Sequence, residues 1–324
     1  MSAVQASNER TISVVVPVYN SRDTLAQLIE RLSPILSAEA RACEAILVND
    51  DSRDDSWARI EALAGSHDWV RGINLMRNYG QHNALLVGIR AARHDTIITL
   101  DDDLQNPPEE IPKLLRRLDE GFDVVYGTPE RQQHGFWRGA ASTITKLALQ
   151  GAMGAQTARD VSAFRVFRTR VREAFLDYRS PYVSIDVLLT WGTTRFSAVR
   201  VRNDPRLIGQ SNYTFRKLAT HALNMMTGFS TWPLQVASLI GFGFTLFGFL
   251  VLLLVLGRYL FFGSSVPGFP FLASVIAIFS GAQLFALGII GEYLARMHFR
   301  SMGRPTAVIR GTTNPAAEEE QQAP

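Results

Sequence analysis

Short apolar runs alternate with helically spaced segments along the first 130 residues of the chain. The runs are rich in β-branched residues and nearly unbroken, which is typical of parallel strands covered on both faces. They cover residues 11–18, 43–48, 70–75, 96–100 and 123–126. Between them, apolar residues recur three or four positions apart and predict helices. This alternation predicts an α/β fold with a mostly parallel sheet.

Shorter elements follow these strands. The sequence predicts a helix over 131–153, an extended piece at 160–165, a helix over 183–191 and a strand over 196–201. A basic loop that contains glycine, residues 202–213, ends this part of the chain. The pattern therefore extends the α/β region to about residue 213.

Polar segments follow four of the predicted strands: Tyr19–Asn20, Asn49–Asp55, Arg77–Asn83 and Asp101–Gln105. Parallel strands end at a common edge of an open sheet, which is where such folds bind ligands. The sequence therefore predicts one polar binding edge built from the ends of these strands.

Three adjacent carboxylates follow the strand at 96–100. Alternate residues of an extended segment share a face, so Asp101 and Asp103 are expected to point together and Asp102 away from them. A divalent cation prefers hard oxygen ligands and can bridge the oxygens of a diphosphate. Taken alone, the three acids fit a solvated helix start equally well.

The apolar excess of the chain lies after residue 231. Residues 232–256 carry no charge, and residues 271–294 form a second apolar run, so each predicts a transmembrane span. Arginine and lysine flank the pair on its outer sides, while the connecting turn has only Arg258. The positive-inside rule then predicts a multi-pass inner-membrane protein with both termini and the α/β domain in the cytoplasm.

These patterns divide the chain into five parts. We expect a disordered N-terminus (1–10), an α/β catalytic domain (11–213), an amphipathic juxtamembrane helix (214–230), a two-helix transmembrane region (231–295) and a cytoplasmic tail with a disordered end (296–324).

Net charge, absent motifs and cysteine content argue against several classes of protein. The net charge of +3 gives no basis for nucleic-acid binding. Neither the G-x-G-x-x-G fingerprint nor the P-loop pattern is present, which disfavours dinucleotide oxidoreductases and P-loop kinases. Cys43, the single cysteine, permits no internal disulfide and is expected to be a buried, inert thiol.

Four motifs in the same order resemble those of glycosyltransferase family two, which has the GT-A fold. They are Val16–Asn20, Val48–Ser52, Arg77–Gln81 and Asp101–Glu109. The Asp-Leu-Gln-Asn-Pro-Pro-Glu run, the Gly-Gln-Ser-Asn-Tyr loop and the two apolar spans are similar to the polyprenyl-phosphate glycosyltransferases of that family. The resemblance covers roughly residues 11–310.

The resemblance implies roles for individual residues. Asp101 and Asp103 would bind Mg²⁺ or Mn²⁺, with Asp103 the main ligand. The implied catalytic set is Asp101, Asp103, Asp160 and Arg206. The implied donor-binding set is Pro17, Tyr19, Asn20, Asp50, Arg77, Asp102, Gln105 and Ser211. The implied acceptor-phosphate set is Arg131, Arg138 and Ser142.

The sequence departs from the family pattern at two places. The usual Asp-Asp-Gly-Ser reads Asn49-Asp50-Asp51-Ser52, which removes the turn glycine. The common Ser-Lys-Tyr loop reads Ser211-Asn212-Tyr213, which removes a cation and bears on sugar or phosphate preference.

The implied reaction is inverting transfer of a sugar from a nucleotide sugar, expected to be a UDP-sugar, to undecaprenyl phosphate. A lipid phosphate is already an anion and needs no strong general base, unlike a sugar hydroxyl. Asp160 would therefore orient the donor sugar, while the metal and Arg206 stabilise the leaving diphosphate. A homo-oligomer is also implied by the resemblance.

Three other functions remain open from the sequence. A processive polysaccharide synthase shares the aspartate motifs, but its Gln/Arg-x-x-Arg-Trp motif is absent here. A non-catalytic membrane scaffold or lipid-handling protein would have no need of Asp101, Asp103 and Gln105. A transferase with a peptide or saccharide acceptor would need a well-placed base.

Overall fold

The computed structural model describes residues 10–129, 160–180, 183–204, 232–262 and 268–313 of the 324-residue chain. The chain divides into two compact units. The sheet unit comprises Met1–Leu218 and Gly303–Pro324, and the helix-pair unit comprises Ala219–Met302. The predictions for the N-terminus and for the amphipathic helix at 214–230 lie outside the described residues.

The sheet unit contains eight described strands in one mixed sheet. Their bounds are β1 Thr11–Val18, β2 Ala42–Asn49, β3 Val70–Leu75, β4 Thr96–Thr99, β5 Val124–Pro129, β6 Arg165–Arg168, β7 Phe196–Val201 and β8 Ile309–Thr312. Their order in the sheet is β7-β5-β6-β4-β1-β2-β3-β8. The first five lie within a few residues of the predicted positions.

Four adjacent strands of the sheet, β4, β1, β2 and β3, run parallel. β1 pairs in parallel with β2 and β4, and β2 with β3. β6 is antiparallel to β4 and β5, while β5 and β7 are parallel. The prediction of an α/β fold with a mostly parallel sheet is confirmed.

The helices of the sheet unit cover its apolar strands. Their bounds are α1 Leu25–Glu39, α2 Ser56–Ser66, α3 Gln81–Ala91, α4 Ile111–Asp119 and α5 Ile185–Gly192. On α1, Leu25, Leu28, Ile29 and Leu32 are fully buried at helical spacing, against strands whose valines and isoleucines are also fully buried. On α3, a Cβ added at Gly88 would come within 2.4 Å of a Val15 methyl group, so the glycine lets this helix approach the sheet.

The edge strand β8 was not predicted from the sequence. It pairs antiparallel with β3, with Ile73 opposite Thr312 and Leu75 opposite Ile309. It lies beyond the 11–213 segment assigned to the catalytic domain and within the segment assigned to the tail. A four-residue strand with arginine and glycine at its centre has no two-residue apolar period, so only its long-range pairing identifies it.

The helix-pair unit contains two long helices, α6 Trp232–Phe262 and α7 Phe269–Ser301. Leu234–Val251 of α6 is long and apolar enough to cross a membrane, and within the described part of the chain it is the one segment that meets this test. A shorter apolar segment, Phe279–Ala295, lies in α7. Phe244 packs edge-on against Phe279, with ring centroids 5.7 Å apart.

Candidate active site

Several segments of the sheet unit meet at one edge of the sheet, which we term the carboxyl edge. The carboxyl ends of β1, β2, β3 and β4 lie there because these strands run parallel. The ends of β5 and β7 reach the same edge, and antiparallel β6 begins there. The carboxyl edge consists of residues 19–22, 50–55, 76–81, 101–106, 160–164 and 202–204. Most of the predicted site residues lie on these segments.

Asp50 is a fixed acceptor at the end of β2 and is only 3% exposed. Its two carboxylate oxygens accept hydrogen bonds from the amides of Tyr79, at 2.7 Å, and Gly80, at 2.8 Å. Burial raises the pKa of the Asp50 carboxyl above its usual value, and the amide donors oppose that shift. Each carboxylate oxygen keeps a further lone pair for a donor group on a ligand.

The turn after Asp50 keeps a left-handed conformation without a glycine. Asp51 has a φ of 54°, which aspartate tolerates better than most residues because its short side chain can bond locally. Arg310 of β8 lies 3.4 Å from the Asp51 carboxylate and donates to the Met76 carbonyl at 2.8 Å. Asp51 therefore takes the place of the turn glycine that the family pattern has here.

The three carboxylates after β4 have different partners. Asp101 accepts a hydrogen bond of 2.6 Å from the side chain of Gln81. Asp103 accepts one of 3.1 Å from the amide of Gln105. Asp102 accepts one from the Tyr19 amide at 3.3 Å and another from the side chain of Ser21. Asp102 thus contacts the segment after β1.

Burial raises the pKa of the Asp102 carboxyl to about 6, although the hydrogen bonds from Ser21 and Tyr19 favour its charged form. The structure therefore ties the acidic segment to β1 through a carboxylate that is expensive to ionise. Asp102 holds the two strand ends together rather than lying open to solvent.

A strained residue fixes the acidic segment. Leu104 has a φ of 58° and is 1% exposed, although a leucine in the left-handed region costs roughly 1–2 kcal/mol. Burial of its side chain in the core offsets this cost. The Gln105 carbonyl then accepts a hydrogen bond of 2.9 Å from the Asp204 amide, which links the acidic segment to the end of β7.

The remaining donor-site predictions lie at the ends of β1 and β3. Pro17 is buried within β1, and Tyr19 is 40% exposed just beyond it. Asn20 has a φ of 55°, and its side-chain oxygen accepts a hydrogen bond of 2.7 Å from the Arg53 amide. Exposed Arg77 stacks over the ring of Tyr79, with its guanidinium carbon 4.6 Å from the ring centroid.

Asp160 precedes β6 at the same edge and is half-buried. Its carbonyl accepts a hydrogen bond of 2.8 Å from Thr128, and its carboxylate lies 3.6 Å from the Arg200 guanidinium. Arg165, which lies close in sequence, pairs with Asp186 of α5 instead. The sequence analysis did not predict this buried pair. A signal was present, because each charged residue lies within an apolar run, and a charged side chain is rarely buried unless it is paired.

Five predicted site residues lie outside the described residues. They are Arg131, Arg138, Ser142, Arg206 and Ser211. Their roles in holding the acceptor phosphate and in closing over the donor stay predictions.

The residues present fit a divalent cation that a ligand helps to hold. In the described part of the chain, no three or more His, Cys, Asp or Glu side chains converge as a metal cluster. Mg²⁺ is commonly held by one or two carboxylates together with the phosphates of a substrate, so a three-residue cluster is not required. Asp101 and Asp103 offer two such carboxylates at the carboxyl edge.

The mixed, mostly parallel sheet with its acidic carboxyl edge fits the GT-A glycosyltransferase fold that the sequence resemblance implies. The Glycosyl transferase family 2 model matches residues 13–178, which is half of the chain. The chain belongs to glycosyl transferase family 2.

Relatives of similar length match almost the whole chain. An undecaprenyl-phosphate 4-deoxy-4-formamido-L-arabinose transferase of Pseudomonas aeruginosa (strain LESB58) is 37% identical over 321 residues, covering 96% of this chain and 94% of the relative. The transferase of the same name from Proteus mirabilis (strain HI4320) is 35% identical, covering 99% and 100% of the two chains. Membership of the family thus extends beyond the sheet unit to the helices.

Solved structures support the fold. A crystal structure of glucosyl-3-phosphoglycerate synthase from Mycobacterium tuberculosis, in complex with Mn²⁺, UDP-glucose and phosphoglyceric acid, matches with a TM-score of 0.51. The match covers 67% of this chain and 78% of the other at 18% identity. At this identity the likeness establishes the GT-A fold alone.

Proposed function

We propose that this protein transfers a sugar from a UDP-sugar to undecaprenyl phosphate, with inversion, at the cytoplasmic face of the inner membrane. The names of the relatives at 37% and 35% identity supply the acceptor. The observation that carries the proposal is the position of Asp50, Asp101 and Asp103 at the ends of strands β2 and β4, which flank β1 at one edge of the sheet.

The donor nucleotide binds along the ends of β1, β2 and β3. Asp50 accepts from a base N–H group, and Tyr19 and Arg77 offer an exposed ring and an exposed cation beside it. Pro17, Asn20 and Asp102 shape the segment after β1. Gln105 faces the sugar or the diphosphate.

Asp101 and Asp103 would hold the Mg²⁺ or Mn²⁺ ion. When bound, the cation supplies positive charge that stabilises the leaving nucleoside diphosphate. Support comes from the oxygen ligands themselves, which suit a hard cation, and from their position at the carboxyl edge.

The acceptor needs no general base, because its phosphate is already an anion at neutral pH. Asp160 therefore orients the donor sugar, and the Arg200 guanidinium lies 3.6 Å from its carboxylate. Arg131, Arg138 and Ser142 hold the acceptor phosphate, and Arg206 and Ser211 close over the donor.

The path of the chain supports two membrane crossings. It leaves the sheet unit before Ala219 and returns after Met302, where β8 joins the sheet. An odd number of crossings would separate β8 from β3, so a crossing by α6 calls for a second crossing by α7. The large exposed apolar side chains of α6, such as Leu239 and Phe242, suit a lipid surround. A homo-oligomer formed through these helices stays a prediction.

The test is a donor panel with the purified full-length protein in lipid nanodiscs. UDP-glucose, UDP-N-acetylglucosamine and the UDP derivative of 4-deoxy-4-formamido-L-arabinose are each incubated with undecaprenyl phosphate, with Mg²⁺, Mn²⁺ or EDTA. We expect one donor to give a lipid-linked sugar, and EDTA to abolish the product. Turnover that persists in EDTA would refute the metal role, and no product from any donor would refute the proposed reaction.

A further inference from the structure

One turn contacts two of the carboxylates that the proposed donor site uses. It comprises residues 78–81 and joins β3 to α3. The amides of Tyr79 and Gly80 donate to the two oxygens of Asp50, and the side chain of Gln81 donates to Asp101. Asp50 and Asp101 follow β2 and β4, which are separated by β1. The turn thus links two strand ends that do not touch in the sheet.

The backbone of the turn is built for these contacts. Gly80 has a φ of 92° and a ψ of 154°, a conformation that residues with a Cβ rarely adopt. The turn is braced by the Asn78 side chain, which donates to the Asp50 carbonyl at 3.2 Å, and by the Asn83 side chain, which donates to the Tyr79 carbonyl at 2.8 Å. Gln81 therefore begins α3 from a fixed position.

The Gln81 side chain does not cap its own helix. The start of α3 has no side-chain cap, and the Gln81 amide group extends instead to Oδ1 of Asp101 at 2.6 Å. A hydrogen bond from a neutral donor to a carboxylate orients the group without cancelling its charge. A lysine or arginine at this place would compete with a cation for the same carboxylate. The neutral amide of Gln81 leaves the negative charge of Asp101 available to a cation.

We propose that Gln81 is a positioning residue that orients Asp101 for a divalent cation. This inference rests on the metal role in the proposed function. Outer partners of a metal-binding carboxylate typically change metal affinity by 10- to 100-fold when they are removed.

The test compares Gln81→Ala and Gln81→Leu with wild type and with Gln27→Ala, in the full-length protein in detergent. Gln27 is an exposed glutamine on α1 and serves as the matched control. Electron paramagnetic resonance measures Mn²⁺ binding in the presence of UDP, and calorimetry measures UDP binding without metal. Neither readout needs the acceptor or turnover. Leucine keeps the bulk of glutamine, so the Gln81→Leu variant separates loss of the donor from loss of packing.

We expect both Gln81 variants to weaken Mn²⁺ binding about 10-fold or more, with the control unchanged. We expect UDP binding without metal to stay within about twofold, since the amides of the turn still hold Asp50. Mn²⁺ affinity within about twofold of wild type in both variants would overturn the inference. Wild-type protein that binds Mn²⁺ with UDP but transfers no sugar refutes only the proposed reaction. Wild-type protein that binds no Mn²⁺ overturns both.

Discussion

Arg165 and Asp186 form an ion pair buried beneath the carboxyl edge. Arg165 is 1% exposed and begins β6, opposite Thr99 of β4 and Tyr126 of β5. The Tyr126 hydroxyl donates to the same Asp186 oxygen at 3.2 Å, and burial raises the pKa of that hydroxyl. The pair therefore ties α5 to the strands that lead into Asp101.

Removing one partner of this pair should destabilise the sheet unit. Asp186→Asn leaves the Arg165 charge buried without its counter-ion, which costs about 3–5 kcal/mol. The double variant Arg165→Met with Asp186→Leu should lose clearly less stability than the sum of the losses from Arg165→Met and Asp186→Leu made singly, because it leaves no charge buried. Urea unfolding of the full-length proteins in detergent measures the free energy of unfolding of every variant. Additive losses would contradict this account of the pair.

The left-handed turn at Asp51 predicts an asymmetric response to substitution. Asp51→Gly should stay within about 1 kcal/mol of wild type, because glycine adopts a φ of 54° without strain. Asp51→Val should lose about 2 kcal/mol, since a β-branched residue is strained there. Both variants lose the exposed contact with Arg310 equally, so their difference reports the backbone alone. Equal stability of the two variants, measured by thermal unfolding, would contradict the assignment.

Asp123 predicts how stability changes in acid. It is 7% exposed at the start of β5, and contacts with Arg195, Thr193 and Arg170 hold the pKa of its carboxyl well below the usual range. Because this pKa is lower in the folded chain than in the unfolded chain, Asp123 stabilises the fold above about pH 4. That contribution is lost as the pH falls further.

The matching variant is Asp123→Asn, with exposed Asp68→Asn as control. At pH 7 the free energy of unfolding of the Asp123→Asn variant should be about 2 kcal/mol lower than that of wild type. This difference in stability should become smaller below about pH 4. The control should follow wild type throughout. A gap that stays constant from pH 7 to pH 3 would rule out the ionised carboxylate as its source.

Local sequence patterns were sufficient to predict the strands that carry the site. The runs at 11–18 and 70–75 coincide with β1 and β3, because a buried parallel strand is apolar along its whole length. The position of Asp50 and Asp101 at a common edge follows from strand direction alone. These features depend on residues close together in the chain, so a local pattern reveals them.

Contacts between residues far apart in the chain leave no local pattern in the sequence. β8 pairs with β3 across more than 230 residues of chain. The hydrogen bond from Gln81 to Asp101 joins residues that lie 20 positions apart. The partner of Arg165, Asp186, is likewise on another element, 21 residues away in the chain. The left-handed conformation of Asp51 also escaped prediction, because the family glycine that signals it is replaced. Such features follow from packing rather than from local periodicity.

The proposed reaction transfers a sugar to a lipid phosphate with the help of a metal held at the carboxyl edge. The most direct measurement follows labelled sugar from its UDP donor into the organic extract, using full-length protein, undecaprenyl phosphate and Mg²⁺ or Mn²⁺. Asp103→Asn is compared with Asp68→Asn, whose exposed carboxylate precedes β3 at the opposite edge of the sheet. We expect label in the lipid for wild type and Asp68→Asn, and a loss of about 100-fold or more for Asp103→Asn. Equal transfer by the two variants would contradict the account.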